Sequence, residues 1–183
     1  MITAAILKQI CPHILEPEAW APALEAAAVE FEINTPLREA AFLAQVCHES
    51  GCFAYVKELW GPTPQQVRYE PPGVKAAELG NTYAGDGFRY RGRGLIQLTG
   101  RANYRNCGAD LELPLEDHPE LLEGMAAASR SAGWFWLRHR LNELADGGDT
   151  QRITKRVNGG YNGLSERVAY YERALQIFST DTA

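Results

Sequence analysis

Glu49 and Glu58 are the residues whose type and spacing best fit catalysis. Glu49 falls in the last turn of an apolar, helix-like stretch, after His48 and two residues before Gly51. Partial desolvation and the negative end of the helix dipole both favour the protonated carboxyl there, which suits a general acid. Glu58 follows nine residues later, just before Trp60-Gly61. In an unbroken helix the two acids would point apart, so Gly51 has to break the helix and let the chain fold back. Two carboxylates across a groove are the equipment for hydrolysing a glycosidic bond, one as acid and one as base or nucleophile. Glu70 and Asp86 are alternative second acids.

Other chemistries fit less well. His48-Glu49-Ser50-Gly51-Cys52 lacks the second His four residues on that a zinc-protease helix needs, so no metal is expected. Cys47 and Cys52 have no identifiable His partner for thiol catalysis, and Gly92-Arg93-Gly94 matches neither a dinucleotide fingerprint nor a phosphate loop. Arg89, Arg91, Arg93, Arg101 and Arg105 against Asp86 give residues 86–105 a formal charge of +4, five Arg minus one Asp. That patch can contact an anionic polymer or pair with acids elsewhere in the chain. Trp134 and Trp136 read as core, and Trp60 fits either core or a sugar platform.

The elements that position these groups are mostly helices. Thr3 caps a helix to about Ile10, and apolar periodicity continues from Trp20 to Phe31. Thr35-Pro36 opens the best helix, which Gly51 ends, and Thr63-Pro64-Gln65-Gln66 reads as a capping box. Gly-rich residues 83–100 read as loop plus a small β-hairpin. Helical signals return at Pro119 to Leu122, Met125 to Leu141, Thr150 to Val157 and Ser165 to Phe178. The expected fold is mainly α, one domain over 1–183 with that β insert. Its 183 residues, 45% hydrophobic and 22% charged, describe an ordinary globule. A net charge of -5 argues against nucleic acid as a partner, and no window is apolar enough for stable membrane insertion. The first residues show no secretory signal, so synthesis in a cytoplasm is expected, with the four cysteines as reduced, buried thiols. A monomer is expected.

Three blocks resemble the signatures of the family 19 glycoside hydrolases. They are Ala41 to Ser50 (AFLAQVCHES), Tyr90 to Tyr104 (YRGRGLIQLTGRANY) and Val157 to Gly160 (VNGG), and the similarity covers about 35–178. The resemblance implies a lysozyme-like α+β fold of two lobes around a cleft, and needs no cofactor. It implies Glu49 as general acid and Glu58 as the base activating water in an inverting displacement, with Thr99 beside that water. It further implies Gln97, Asn103 and Asn158 as residues that hydrogen-bond the sugars, His48 as lining the cleft and Arg167 as the residue orienting the acid, and Trp60 and Tyr104 are counted beside them as candidate substrate-binding residues. Asn162 stands where plant chitinases of the family carry an acid near that arginine, and their long loops and cysteine pattern are missing. The chain is therefore most similar to compact bacteriophage or prophage endolysins that cut peptidoglycan inside the host envelope. A small chitinase is the alternative, and a catalytically inactive binder of wall glycan a third reading.

Overall fold

A computed structural model describes residues 1–180. Eleven α-helices and one 3₁₀ turn occur among the described residues, and no regular strand does. Helix α1 (Ala4–Ile10) starts where the Thr3 hydroxyl accepts from the Ile6 amide. It packs on α2 (Pro17–Glu30), which lies in turn against α8 (Met125–Arg138). At the centre runs α3 (Pro36–Glu49), capped by the Thr35 side chain, with every residue from Glu39 to Cys47 buried. Helix α11 (Leu164–Thr180) lies along it, joined through Arg167 to Gln45 and Glu49, and this is the most extensive helix pairing among the described residues. Phe42 meets Trp136 edge to face at 5.4 Å, joining α3 to α8 through the core. Trp134 and Trp136 are both buried, as expected.

The remaining helices are α4 (Pro64–Val67), α5 (Val74–Glu78), α6 (Asp86–Arg89), α7 (Arg101–Leu111), α9 (Leu141–Asp146) and α10 (Thr150–Asn158). The capping box is formed: Thr63 accepts from the Gln66 amide, and the Gln66 side chain accepts from the Thr63 amide. The β-hairpin expected over 83–100 is reduced. Its first half is the single helical turn α6, and its second half is one antiparallel pair, Arg93 with Leu98, closing a tight loop. A second isolated bridge joins Arg93 to Lys57.

The cysteine expectation needs correction. Cys11 and Cys52 form a disulfide across 41 residues, with Cα atoms 5.8 Å apart. Cys47 and Cys107 are free and buried, and burial pushes the Cys107 thiol up to about 12. No helix among the described residues is long and apolar enough to cross a membrane.

Candidate active site

Glu49 is the last residue of α3, and the chain turns sharply after it. Gly51, Cys52 and Phe53 all have left-handed φ angles, of 56°, 56° and 68°. Two of the three carry side chains and bear a steric cost there, which the packing must offset. The Cys52 amide donates to the Cys47 carbonyl at 2.7 Å, and the disulfide holds the same turn from α1. Beyond it the segment carrying Glu58 runs antiparallel to residues 92 and 93.

The two carboxylates are therefore anchored on different parts of the molecule. Glu49 is held by α11: Arg167 Nη2 donates to Glu49 Oε1. The Arg167 side chain is only 1% exposed, so its charge has no water to fall back on. Its Nη1 donates to Gln45 Oε1 at 2.5 Å and its Nε to the Asn162 carbonyl at 3.3 Å. Gln45 in turn reaches Thr154 Oγ1 at 3.5 Å, and Thr154 is fixed to the Thr150 carbonyl at 2.8 Å. A buried polar relay thus runs from α10 through α3 and α11 to the acid. Gln45 was missing from the expected site, although its spacing of four from Glu49 puts both on one face of α3.

Glu58 is held by backbone and amide groups. Its Oε2 accepts from the Gly92 N–H at 3.0 Å, and its own N–H donates to the Gly92 carbonyl at 2.8 Å. Its Oε1 accepts from Gln66 Nε2 at 3.0 Å, and the same Gln66 nitrogen also donates to the Leu59 carbonyl. Gly92 can approach because it has no side chain: a Cβ there would lie 2.7 Å from Gln97 Oε1 and 3.3 Å from Thr99 Oγ1. Glu58, Gln97 and Thr99 therefore surround one glycine. Gln97 adopts a left-handed φ of 51° and donates to the Gly94 carbonyl, while Thr99 donates to the Gln97 carbonyl at 2.9 Å.

The other expected residues are placed less uniformly. His48 packs against Gly163, which has φ of 70° and no room for a Cβ. Its Nδ1 sits 2.9 Å from Glu166 Oε2 but lacks the alignment of a hydrogen bond. Asn103 is exposed with its Nδ2 on the Thr99 carbonyl, and Asn158 is exposed at the end of α10. Trp60 is half-buried between Phe88, at 5.5 Å, and Tyr69, at 6.4 Å. Burial, and then the charge of Glu58, raise the Tyr69 pKa, which puts this aromatic group within the field of Glu58. Tyr104 is a correction. It is fully buried, donates to the Arg91 carbonyl at 2.7 Å and accepts from Arg93, so it supports the loop and cannot touch a glycan.

Of the alternative acids, Glu70 accepts from the Gly85 and Phe88 amides and Asp86 is buried against Arg101, so both serve structure. The basic patch is largely neutralised from within. Arg101 is paired with Asp86 and Glu116, Arg105 with Glu116, and Arg93 with Glu123. No group of three His, Cys, Asp or Glu among the described residues is arranged to hold a metal ion.

A mainly helical, lysozyme-like fold carrying two anchored carboxylates is that of a glycoside hydrolase. The profile of glycoside hydrolase family 19, described as chitinase class I, matches residues 19–146, and the chain belongs to that family. A family 19 domain-containing protein of Haemophilus influenzae is 32% identical, over 99% of this chain and 98% of the relative. An endochitinase of Arabidopsis thaliana is 38% identical, over 66% of this chain but only 39% of the plant protein. The chain thus spans less than half of that plant relative. Chitinase C of Streptomyces griseus superposes with a TM-score of 0.74 at 22% identity, covering 97% of this chain and 76% of that one. A class IV chitinase from Zea mays gives 0.69 at 23%, covering 97% and 90%, and both share the fold.

Proposed function

We propose that the chain is an endolysin-type glycosidase, monomeric, that hydrolyses the β-1,4 bonds of bacterial peptidoglycan. The observation that carries the reaction type is the unlike anchoring of its two acids. Glu49 has one oxygen engaged by Arg167, leaving Oε2 to carry the proton that the leaving sugar oxygen takes. Glu58 has both oxygens held in place by N–H groups, which fixes its carboxyl plane to receive a proton from water. Attack of that water on the anomeric carbon, as Glu49 protonates the departing oxygen, breaks one C–O bond and forms another with inversion. Thr99 and Gln97 flank the same Gly92 whose amide holds Glu58, and in this reading they fix the water and the sugar.

One feature supports peptidoglycan as substrate: it carries carboxylates that chitin lacks, and Arg91, next to Gly92, forms no ion pair with a carboxylate among the described residues. In this reading the protein accumulates in a bacterial cytoplasm and acts at the wall, where the Cys11–Cys52 disulfide is favoured. A small chitinase is the second reading, favoured by the names of the plant and Streptomyces relatives.

The test compares clearing of outer-membrane-permeabilised Gram-negative cells with hydrolysis of glycol chitin. Lysis is expected, and clearing of chitin without lysis would reverse the assignment. Proton NMR of the first product should show the α-anomer; an initial β-anomer would exclude inversion. Mass spectrometry of the new reducing ends identifies which of the two bonds is cut.

A further inference from the structure

Of the five arginines in residues 86–105, three are spent on carboxylates. Arg89 is spent on neutral groups, donating to Tyr90 Oη and to the carbonyls of Glu116 and Asp117. Arg91 differs from all four. Its guanidinium lies 4.1 Å from the centre of the Phe88 ring and donates only through Nη1, to the Phe88 carbonyl at 2.7 Å. Among the described residues no carboxylate forms an ion pair with it, and the bond to the Phe88 carbonyl is its one side-chain hydrogen bond. Burial first, and the like charge of Arg93 second, depress its pKa against the smaller opposing pull of Glu123 and Glu58. It nevertheless stays charged at any physiological pH.

This arginine lines an open cavity of about 560 Å³ with Lys57, Phe88, Arg89, Arg93 and Glu123. Glu123 is neutralised by Lys57 at 2.6 Å and Arg93 at 2.8 Å, and Glu120 at the rim pairs with His118. Asp117, and Glu120 wherever His118 is neutral, keep the remaining negative charge in the lining. Arg91 also directly precedes Gly92, whose amide holds Glu58. A carboxylate captured by its planar fork would therefore sit one residue from the base's anchor, with Phe88 fixing the guanidinium plane.

We propose that Arg91 and this cavity form a carboxylate-binding subsite that takes an acid group appended to the glycan strand, and so selects peptidoglycan over neutral chitin. The inference rests on the peptidoglycan reading. Two sources offer this chemistry: the stem peptide, and the lactyl acid exposed when the stem is removed.

The experiment measures kcat/KM of wild type, Arg91→Gln and Arg91→Lys on intact peptidoglycan, on stem-stripped glycan strands and on glycol chitin. The ratio of peptidoglycan to chitin activity should fall about tenfold in Arg91→Gln, through KM, and recover partly in Arg91→Lys. A fall confined to intact peptidoglycan assigns the stem carboxylate, and one confined to stripped strands the lactyl group. Wild-type enzyme on peptidoglycan whose carboxylates have been amidated should lose the same factor, a comparison that needs no variant to fold. Ratios within twofold of wild type, or indifference to amidation, overturn the subsite while leaving peptidoglycan hydrolysis intact. Wild-type enzyme that cuts chitin alone overturns both.

Discussion

Replacing Glu49 by Gln removes the transferable proton while keeping an oxygen for Arg167 to bind, so chemistry and fold separate cleanly at this residue. Lysis by Glu49→Gln should fall about 10²- to 10⁴-fold with the melting temperature nearly unchanged, as measured by turbidity and calorimetry. Gln45→Leu tests the relay behind it. Leaving Arg167 Nη1 unpaired in the interior should cost about 1 to 3 kcal/mol in urea unfolding and lower kcat with little change in KM. An equal loss of kcat and rise in KM would show that Gln45 merely packs. At this scale Arg167 was legible only through the resemblance, since no local pattern joins it to Glu49, 118 residues away, whose Oε1 it meets. Tyr104 failed because a tyrosine in a conserved-looking block serves the interior as readily as a ligand, and only its burial distinguishes the two.

Elements with local start signals were legible. The Thr35 cap and Pro36 predict α3, and the Thr63 capping box predicts α4. Thr35→Ala should lower stability by about 1 kcal/mol, read by chemical denaturation. Helix α7 escaped because it begins after Gly100, which offers no side-chain cap, and carries a polar, arginine-rich face. The arginines' partners were hidden for a related reason, since Glu116 and Glu123 approach only after the chain has turned twice. That network sets an acid limit. Burial alone would raise the Asp86 pKa, but the Arg101 fork and the amides of Tyr83 and Thr82 hold it at about 2. Its folded pKa is depressed, so its stabilisation is complete above about pH 4 and is lost as pH falls towards 2. Glu116, held at about 2 by Arg105 and then Arg101, acts in the same direction. The Asp86 share is about 2 kcal/mol. Melting temperature should drop steeply between pH 4.5 and 2.5, and Asp86→Asn should flatten that slope.

For the molecule as a whole, the disulfide was the least legible feature. Pairing Cys11 with Cys52 depends on α1 reaching the turn that follows α3, which no local pattern records. Closing a loop of that size restricts the unfolded chain by about 4 kcal/mol in the chain-entropy view. Dithiothreitol, or Cys11→Ser with Cys52→Ser, should lower unfolding free energy by up to that amount. The loss should reach activity as well, because the cross-link holds Cys52, the middle of the three left-handed residues that begin two positions after Glu49. An unchanged denaturation midpoint under reductant would remove the cross-link from the account.

The unlike anchors of the two acids bear on how such a protein drifts. A side chain at position 92 would collide with Gln97, so the main-chain donor to Glu58 depends on glycine, and Gln66, the other donor, is itself a side chain. Arg167 and Gln45 are side chains and can be lost by a single codon change. Lineages that abandon hydrolysis are therefore free to decay from either acid, each of which hangs on side chains or on the absence of one.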